Sequence, residues 1–490
     1  MKKLWIVPLV AGLSVSPAVL AAASNSATTT TTTTSAAPDA SVQKPASSTK
    51  GASAAPGTQS SATKATSSGG TQGEIRDLKR RVTELESWAD VNQTRNFTIG
   101  TNLEFGVGSG TYADELYIID FGLNRDLSLL HQRQYIHTKY KRFEDEPHLL
   151  ITGNIQGTVG KNSSLFGVDV GTHEQFMQGA AEIDFTAMIN EDWVGYLEFD
   201  GNAFGDNTSL RVIQAFTTFG NFDKYPAYLT LGYQYVPFGN FTTNFIASTQ
   251  VQNMGRIQVP AANGAFNLFA KENWEINGGV FWFDGLTKAS DYFRLDEVGA
   301  NLQARKTKLG PQRNMTLMFG ASVVNNLASS NGLAYGVDKY DISKLDHYVP
   351  AADGRFKFTV GDFALTAEYL AAYRSFDTSD FAQGSVGKTL DGARPTSTYV
   401  EAAYDFKVWG MPNTISARYD QTTDALAFGL PSEEYGLSYQ LKPFFNTRVT
   451  FEYMHKLDYS ESTMVLANGT SVFGTGDTDD LFQAQINVFF

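Results

Sequence analysis

From residue 148 to its end the chain repeats one pattern: stretches of about ten residues in which apolar and polar side chains alternate. A period of two puts one set of side chains on each face of a β-strand. In 446–457, NTRVTFEYMHKL, the residues Thr447, Val449, Phe451 and Tyr453 share one face, and Arg448, Thr450 and Glu452 share the other. In 396–407, Val400, Ala402, Tyr404 and Phe406 oppose Glu401, Ala403 and Asp405. In 412–420, Ile415, Ala417 and Tyr419 oppose Ser416, Arg418 and Asp420. The final stretch, LFQAQINVFF, sets Phe482, Ala484, Ile486, Val488 and Phe490 against Gln483, Gln485 and Asn487.

Strands are predicted over 148–158, 178–190, 192–202, 209–220, 226–236, 265–271, 273–283, 294–305, 313–325, 354–360, 362–374, 396–407, 412–420, 433–442, 446–457 and 480–490, about sixteen in all. Ten residues is the length a tilted strand needs to cross a bilayer. Connections after most even-numbered strands are short, and those after odd-numbered strands are mostly long, as at 159–177, 326–353 and 458–479. Tight turns at one end and long loops at the other are expected of a membrane barrel and are not required of a soluble sandwich. The apolar faces suit lipid and the polar faces a wet lumen. A Lys or Arg facing lipid at mid-bilayer would cost about 2–4 kcal/mol, and the pattern largely avoids this. The fold class expected is all-β: a transmembrane antiparallel β-barrel of about 16 strands over 148–490, whose last strand closes on the first.

The residues before the barrel read differently. Residues 1–23 have the form of a signal peptide: Lys2 and Lys3, an apolar stretch from Leu4 to Leu20, then Ala21, Ala22 and Ala23. No later apolar run reaches eighteen residues, so any membrane crossing must use strands. Residues 24–73, rich in Ser, Thr and Ala, bury too little apolar surface to order and predict a disordered linker. Within 74–90, Ile75, Leu78, Val82 and Leu85 are spaced as a coiled-coil seam, with Arg81 and Glu86 placed for an interchain ion pair. The string from Arg81 to Glu86 resembles a short trimerisation motif, whereas β-branched residues at the first seam position with Leu at the second favour dimers. A helix packed on its own domain is the remaining alternative. Residues 91–147 are a pre-barrel or plug-like segment, periplasmic or folded into the lumen, with a weak helical stripe at Leu123, Leu127 and Leu130.

Composition narrows the chemistry. Aromatic residues make up 13% of the chain, with 35 Phe, 22 Tyr and 44 Gly, a mixture that suits strands. There is no cysteine, which excludes disulfides and thiolate chemistry. A net charge of −13 argues against nucleic acid as a partner. The six histidines form no recognisable Ser/His/acid arrangement or metal-ligand spacing, so neither an enzyme nor a cofactor or metal site is expected.

Two places carry the expected function. Glu401, Arg418, Arg448 and Glu452, with Gln483 and Gln485, are expected to line the lumen. Their charges either set a transverse field that selects solutes or pair with one another and solvate the wall. The connection 237–264 is long and apolar, with Phe241, Phe245, Ile246, Val251, Met254 and Ile257. It should fold back into the barrel as a constriction, or latch neighbouring subunits. Arg256 is its single cation, placed for contact with an anionic solute.

The signal peptide, linker, coiled coil, about sixteen strands and terminal Phe490 resemble trimeric porins with a periplasmic coiled coil, and EIDFTAMINEDWVGYLEFD (182–200) and LTLGYQYVPFGNFTTN (229–244) resemble, more narrowly, the LbtU-type siderophore porin family. A strand followed by PFG also occurs in phosphate-selective porins. The resemblance implies an outer-membrane homotrimer with its N-terminal segment in the periplasm, taking up a ferric siderophore or other small anionic solute by diffusion or facilitated diffusion. It also implies that Phe490 is the signal read by the barrel-assembly machinery. A general or anion-selective porin is the alternative, and a structural or adhesin barrel a further one.

Overall fold

A computed structural model describes residues 98–101, 125–139, 148–162, 175–204, 207–270, 273–285, 295–310, 314–342, 345–444 and 446–489. The signal peptide, linker and coiled coil, including Ile75, Leu78, Arg81, Val82, Leu85 and Glu86, lie outside the described residues, as does Phe490.

Numbered in chain order, β1 (Thr98–Thr101) and helix α1 (Arg125–Lys139) precede the barrel. Sixteen antiparallel strands close it: β2 (His148–Asn162), β3 (Gln175–Asn190), β4 (Trp193–Phe204), β5 (Asn207–Gly220), β6 (Ala227–Tyr235), β7 (Gln258–Ala270), β8 (Trp274–Phe283), β9 (Glu297–Leu309), β10 (Met315–Val324), β11 (Ala351–Val360), β12 (Phe363–Ala372), β15 (Thr396–Val408), β16 (Met411–Thr423), β17 (Glu433–Phe444), β18 (Thr447–Leu457) and β21 (Thr478–Phe489). Every predicted strand overlaps one of these. Closure is made by β21 against β2, from Asn154 opposite Phe489 to Asn162 opposite Leu481, which leaves no open edge between them. Below Asn154 the edge of β2 is taken by β1, which pairs in parallel, Thr98 opposite Leu150.

Several predicted boundaries move by a few residues, and one moves by more. The sixth barrel strand begins at Gln258, not 265, so the long connection ends at Ile257. Pro260, two alanines and Gly264 hide the alternation there, and Pro cannot donate to a ladder. The alternation of turns holds at both ends, with one exception. Trp409 and Gly410 make a two-residue turn with φ of 51° and 80°, the left-handed pair a tight hairpin uses. The connection between β4 and β5 is also only residues 205–206, although it lies at the long-loop end.

The two faces separate as the pattern dictates. Phe482, Ile486, Leu437, Tyr404, Leu302 and Ile155 point outward and are among the exposed large apolar side chains. Trp193, Phe219, Trp409 and Phe444 are exposed near the short turns, and Tyr369, Tyr373 and Tyr435 near the long loops, as two aromatic girdles would be. The largest buried apolar cluster lies at the long-loop end. Helix α2 (Gln250–Gly255), α3 (Asn331–Lys339) and two 3-10 turns pack there with a small sheet ordered β14 (Asp391–Gly392), β13 (Phe381–Ser385), β19 (Thr463–Ala467), β20 (Thr470–Phe473). Phe376, Phe381 and Phe428 hold its centre, with ring centroids 5.0–5.7 Å apart.

Candidate functional site

The connection 236–257 turns into the barrel and runs across the inner wall from β12 to β18. Its backbone amides have no strand partner, and buried amides must be satisfied somewhere. Carboxylates of four wall strands satisfy six of them, and the Gly239 amide donates to the Ser322 hydroxyl (3.0 Å). Glu368 of β12 accepts from the amides of Asn240 (2.7 Å) and Phe241 (2.9 Å). Glu401 of β15 accepts from the Asn244 amide (3.0 Å), its side chain (2.7 Å) and the Thr243 hydroxyl. Glu452 of β18 accepts from Ile246 and from Ala247 (3.3 Å). Asp420 of β16 accepts from Gln250 (3.0 Å) at the start of α2. In the other direction Arg418 of β16 donates to the Ala247 carbonyl (2.7 Å) and pairs with Asp420 and Glu434, each at 2.7 Å. Charge-assisted bonds of this kind are worth about 1.5–3 kcal/mol each.

Local sequence makes the turn possible. Gly239 and Phe241 both have positive φ, 82° and 58°, and bracket the turn whose Asn240 and Phe241 amides meet one carboxylate. A Cβ on Gly239 would sit 2.1 Å from the Phe241 ring. The apolar side chains then face the loop-end cluster: Phe241, Val251, Met254 and Ile257 are all buried in it.

Helix α1 lies against the opposite inner wall. Leu127 and Leu130 pack with Tyr228 of β6, and Leu129 with Val194, Tyr196 and Phe216 of β4 and β5. Asp126 accepts from Thr230 and Asn263, both at 2.9 Å. His131 stands 3.2 Å from Glu275 of β8 and 3.0 Å from Asn267 of β7. Arg133 reaches the Gly220 carbonyl (3.2 Å) and Gln134 reaches Asp223 (2.9 Å), both beside the short turn after β5.

Between the loop and α1 remains a cavity of about 740 Å³. Its wall is rich in amides and hydroxyls, including Gln156, Gln178, Gln440, Gln483, Gln485 and Asn487. They bond to one another: Asn154 to Asn487 (3.2 Å), Asn487 to Gln485 (2.8 Å) and Gln485 to Thr158 (2.9 Å). Its charged lining groups are Arg125, Glu182, Lys357, Glu401 and Arg448.

The residues singled out in the sequence divide accordingly. Arg448, Glu401, Gln483 and Gln485, with Phe241 and Phe245, line the cavity. Arg448 also lies 5.3 Å from the ring of Phe489. Glu401, Arg418 and Glu452 are buried and engaged by the loop. Met254 is wholly buried, and Arg256 lies over Tyr235, 5.3 Å from its ring centre, away from the cavity. Sequence reasoning missed Glu368, Glu434 and Arg125. A charge at mid-strand on the polar face is the signal that could have found the first two.

A closed, sixteen-stranded antiparallel barrel with an apolar outer face, a polar interior and an infolded loop has the architecture of a membrane channel. No family model matches the chain. It is similar to a UPF0422 protein of Coxiella burnetii, 27% identical over 354 residues, covering 70% of this chain and 72% of that one. Among solved structures it is similar to Salmonella typhi OmpF in complex with daunomycin, with a TM-score of 0.47, 15% identity and coverage of 70% and 98%. It is also similar to an anion-selective porin from Comamonas acidovorans, with a TM-score of 0.45, 10% identity and coverage of 70% and 100%. None of these is named for a siderophore.

Proposed function

We propose that this chain is an outer-membrane channel for small polar solutes, with its short-turn end and N-terminal segment in the periplasm. The observation that supports this best is the amide-lined cavity left between the infolded loop and α1. Its volume falls in the range of small-molecule sites. Arg125, Lys357 and Arg448 on its wall favour an anionic or polarisable solute. In this reading Glu401, Glu452 and Arg418 hold the constriction rather than meet the solute, and Arg448, Gln483 and Gln485 meet it directly. Helix α1 acts as a partial plug, the coiled coil joins three copies, and Phe490 directs barrel assembly.

Within that class, a ferric siderophore is the solute that the resemblance of 182–200 and 229–244 favours. Carboxylate siderophores are anionic and match the cations of the cavity. Uptake of labelled ferric siderophore by a deletion strain should fall, and uptake equal to the parent strain rules this solute out. A large, weakly selective conductance in planar bilayers without siderophore binding would instead support the general porin.

A further inference from the structure

We propose that Arg125, the first residue of α1, sets the charge selectivity of the lumen, an inference that rests on the channel reading above. Glu182 and Asp184 of β3 and Glu198 of β4 each place a carboxylate oxygen within 4.8 Å of the others. Arg125 covers this cluster from the cavity side. Its Nη2 lies 3.0 Å from Asp184 Oδ2, and its guanidinium sits 5.0 Å from the centre of the Tyr196 ring. The Tyr196 hydroxyl lies 2.7 Å from Asp184 and 3.1 Å from Glu198, tying the carboxylates together. The Asp184 side chain is wholly buried, while that of Arg125 stays 25% exposed. A planar guanidinium can pair with one group and stack on the other, which an ammonium cannot do as well.

The consequence is a balance of charge that turns on one side chain. With Arg125 present, the cavity shows Arg125, Lys357 and Arg448 against Glu182 and Glu401. Glu401 is already engaged by the loop. Without the guanidinium Asp184 loses this ion pair, and with Asp184 and Glu198 counted the carboxylates around the cavity outnumber the cations. Low-dielectric walls focus such a field on whatever passes. The rest of α1 does not depend on this contact, because Asp126, Leu127 and Leu130 hold it to β6 and β7 independently. Charge can therefore be removed while the helix stays in place.

The test is the reversal potential of the full-length protein in planar bilayers under a KCl gradient. Arg125→Gln should raise the K⁺-to-Cl⁻ permeability ratio by about twofold or more, with little change in conductance. Adding Asp184→Asn and Glu198→Gln to it should bring the ratio back. Current with an unchanged reversal potential overturns the proposal while leaving the channel reading intact. If Arg125→Gln does not insert, Glu198→Gln alone, which keeps the Arg125–Asp184 pair, should shift the ratio toward Cl⁻, and no shift overturns it. Inserted wild-type protein that passes no current overturns the channel reading, and this inference with it.

Discussion

Among the described residues the lumen holds two segments, and they are held in different ways. The connection 236–257 is joined to the wall at both ends, through β6 and β7, and its backbone amides are bonded to carboxylates of four strands. Among the described residues, helix α1 meets the wall through side chains: Asp126 with Thr230, Arg133 with the Gly220 carbonyl, and Leu127 and Leu130 with Tyr228. A segment bonded through its backbone cannot leave without stranding both its amides and the buried carboxylates. A helix bonded through side chains can leave with its main chain intact. The loop is therefore the more firmly held of the two, and α1 the more easily displaced.

The comparison can be broken first at Glu368. Glu368→Ala strands the amides of Asn240 and Phe241 in a buried site, at about 1–3 kcal/mol each. It should enlarge single-channel conductance and lower the temperature at which the folded barrel converts to its unfolded gel mobility. Leu127→Ala with Leu130→Ala should each lose about 2–5 kcal/mol of packing if α1 stays docked. Released α1 would raise conductance while the gel melting temperature of the barrel changes little, since the wall bonds do not pass through it. Gly239→Ala forces a side chain into a left-handed position against Phe241. It should destabilise the loop by about 1–3 kcal/mol, read as noisier open-channel current. Smallest in its effect on conductance is Thr243→Val, which removes the hydroxyl bond to Glu401 and the bonds that the hydroxyl accepts from the Phe245 amide (3.2 Å) and Arg418 (3.4 Å). It should cost about 1 kcal/mol for each bond, with conductance close to wild type.

The barrel was legible because bilayer thickness and period-two alternation act on every strand at once. Gln483 and Ile486 were sorted to opposite faces by position alone. β7 was half hidden because Ala261, Ala262 and Gly264 carry little contrast between the faces. Loop 236–257 declared itself by apolar residues that water would not tolerate, but its partners did not. Alternation tells that Glu401 and Glu452 face inward, and not that a backbone will arrive to meet them. Arg418 read as a lumen cation for the same reason, since its pairing with Asp420 and Glu434 depends on depth and neighbours rather than face. α1 was foreseen only as a weak stripe, because Asp126, His131 and Arg133 look solvent-facing until the polar interior of the barrel supplies Thr230, Glu275 and Gly220. The small sheet of β13, β14, β19 and β20 has strands of two to five residues, too short for any period to show.

The central claim is that a carboxylate-anchored loop narrows an open barrel. Single-channel recording of wild-type protein beside Glu401→Ala tests it most directly. The account predicts discrete conductance steps in the wild type and larger steps in the variant, whose loop has lost its carboxylate bonds to β15 and keeps there the Tyr399 hydroxyl on the Thr242 carbonyl (2.7 Å). Steps of equal size in both proteins would contradict it.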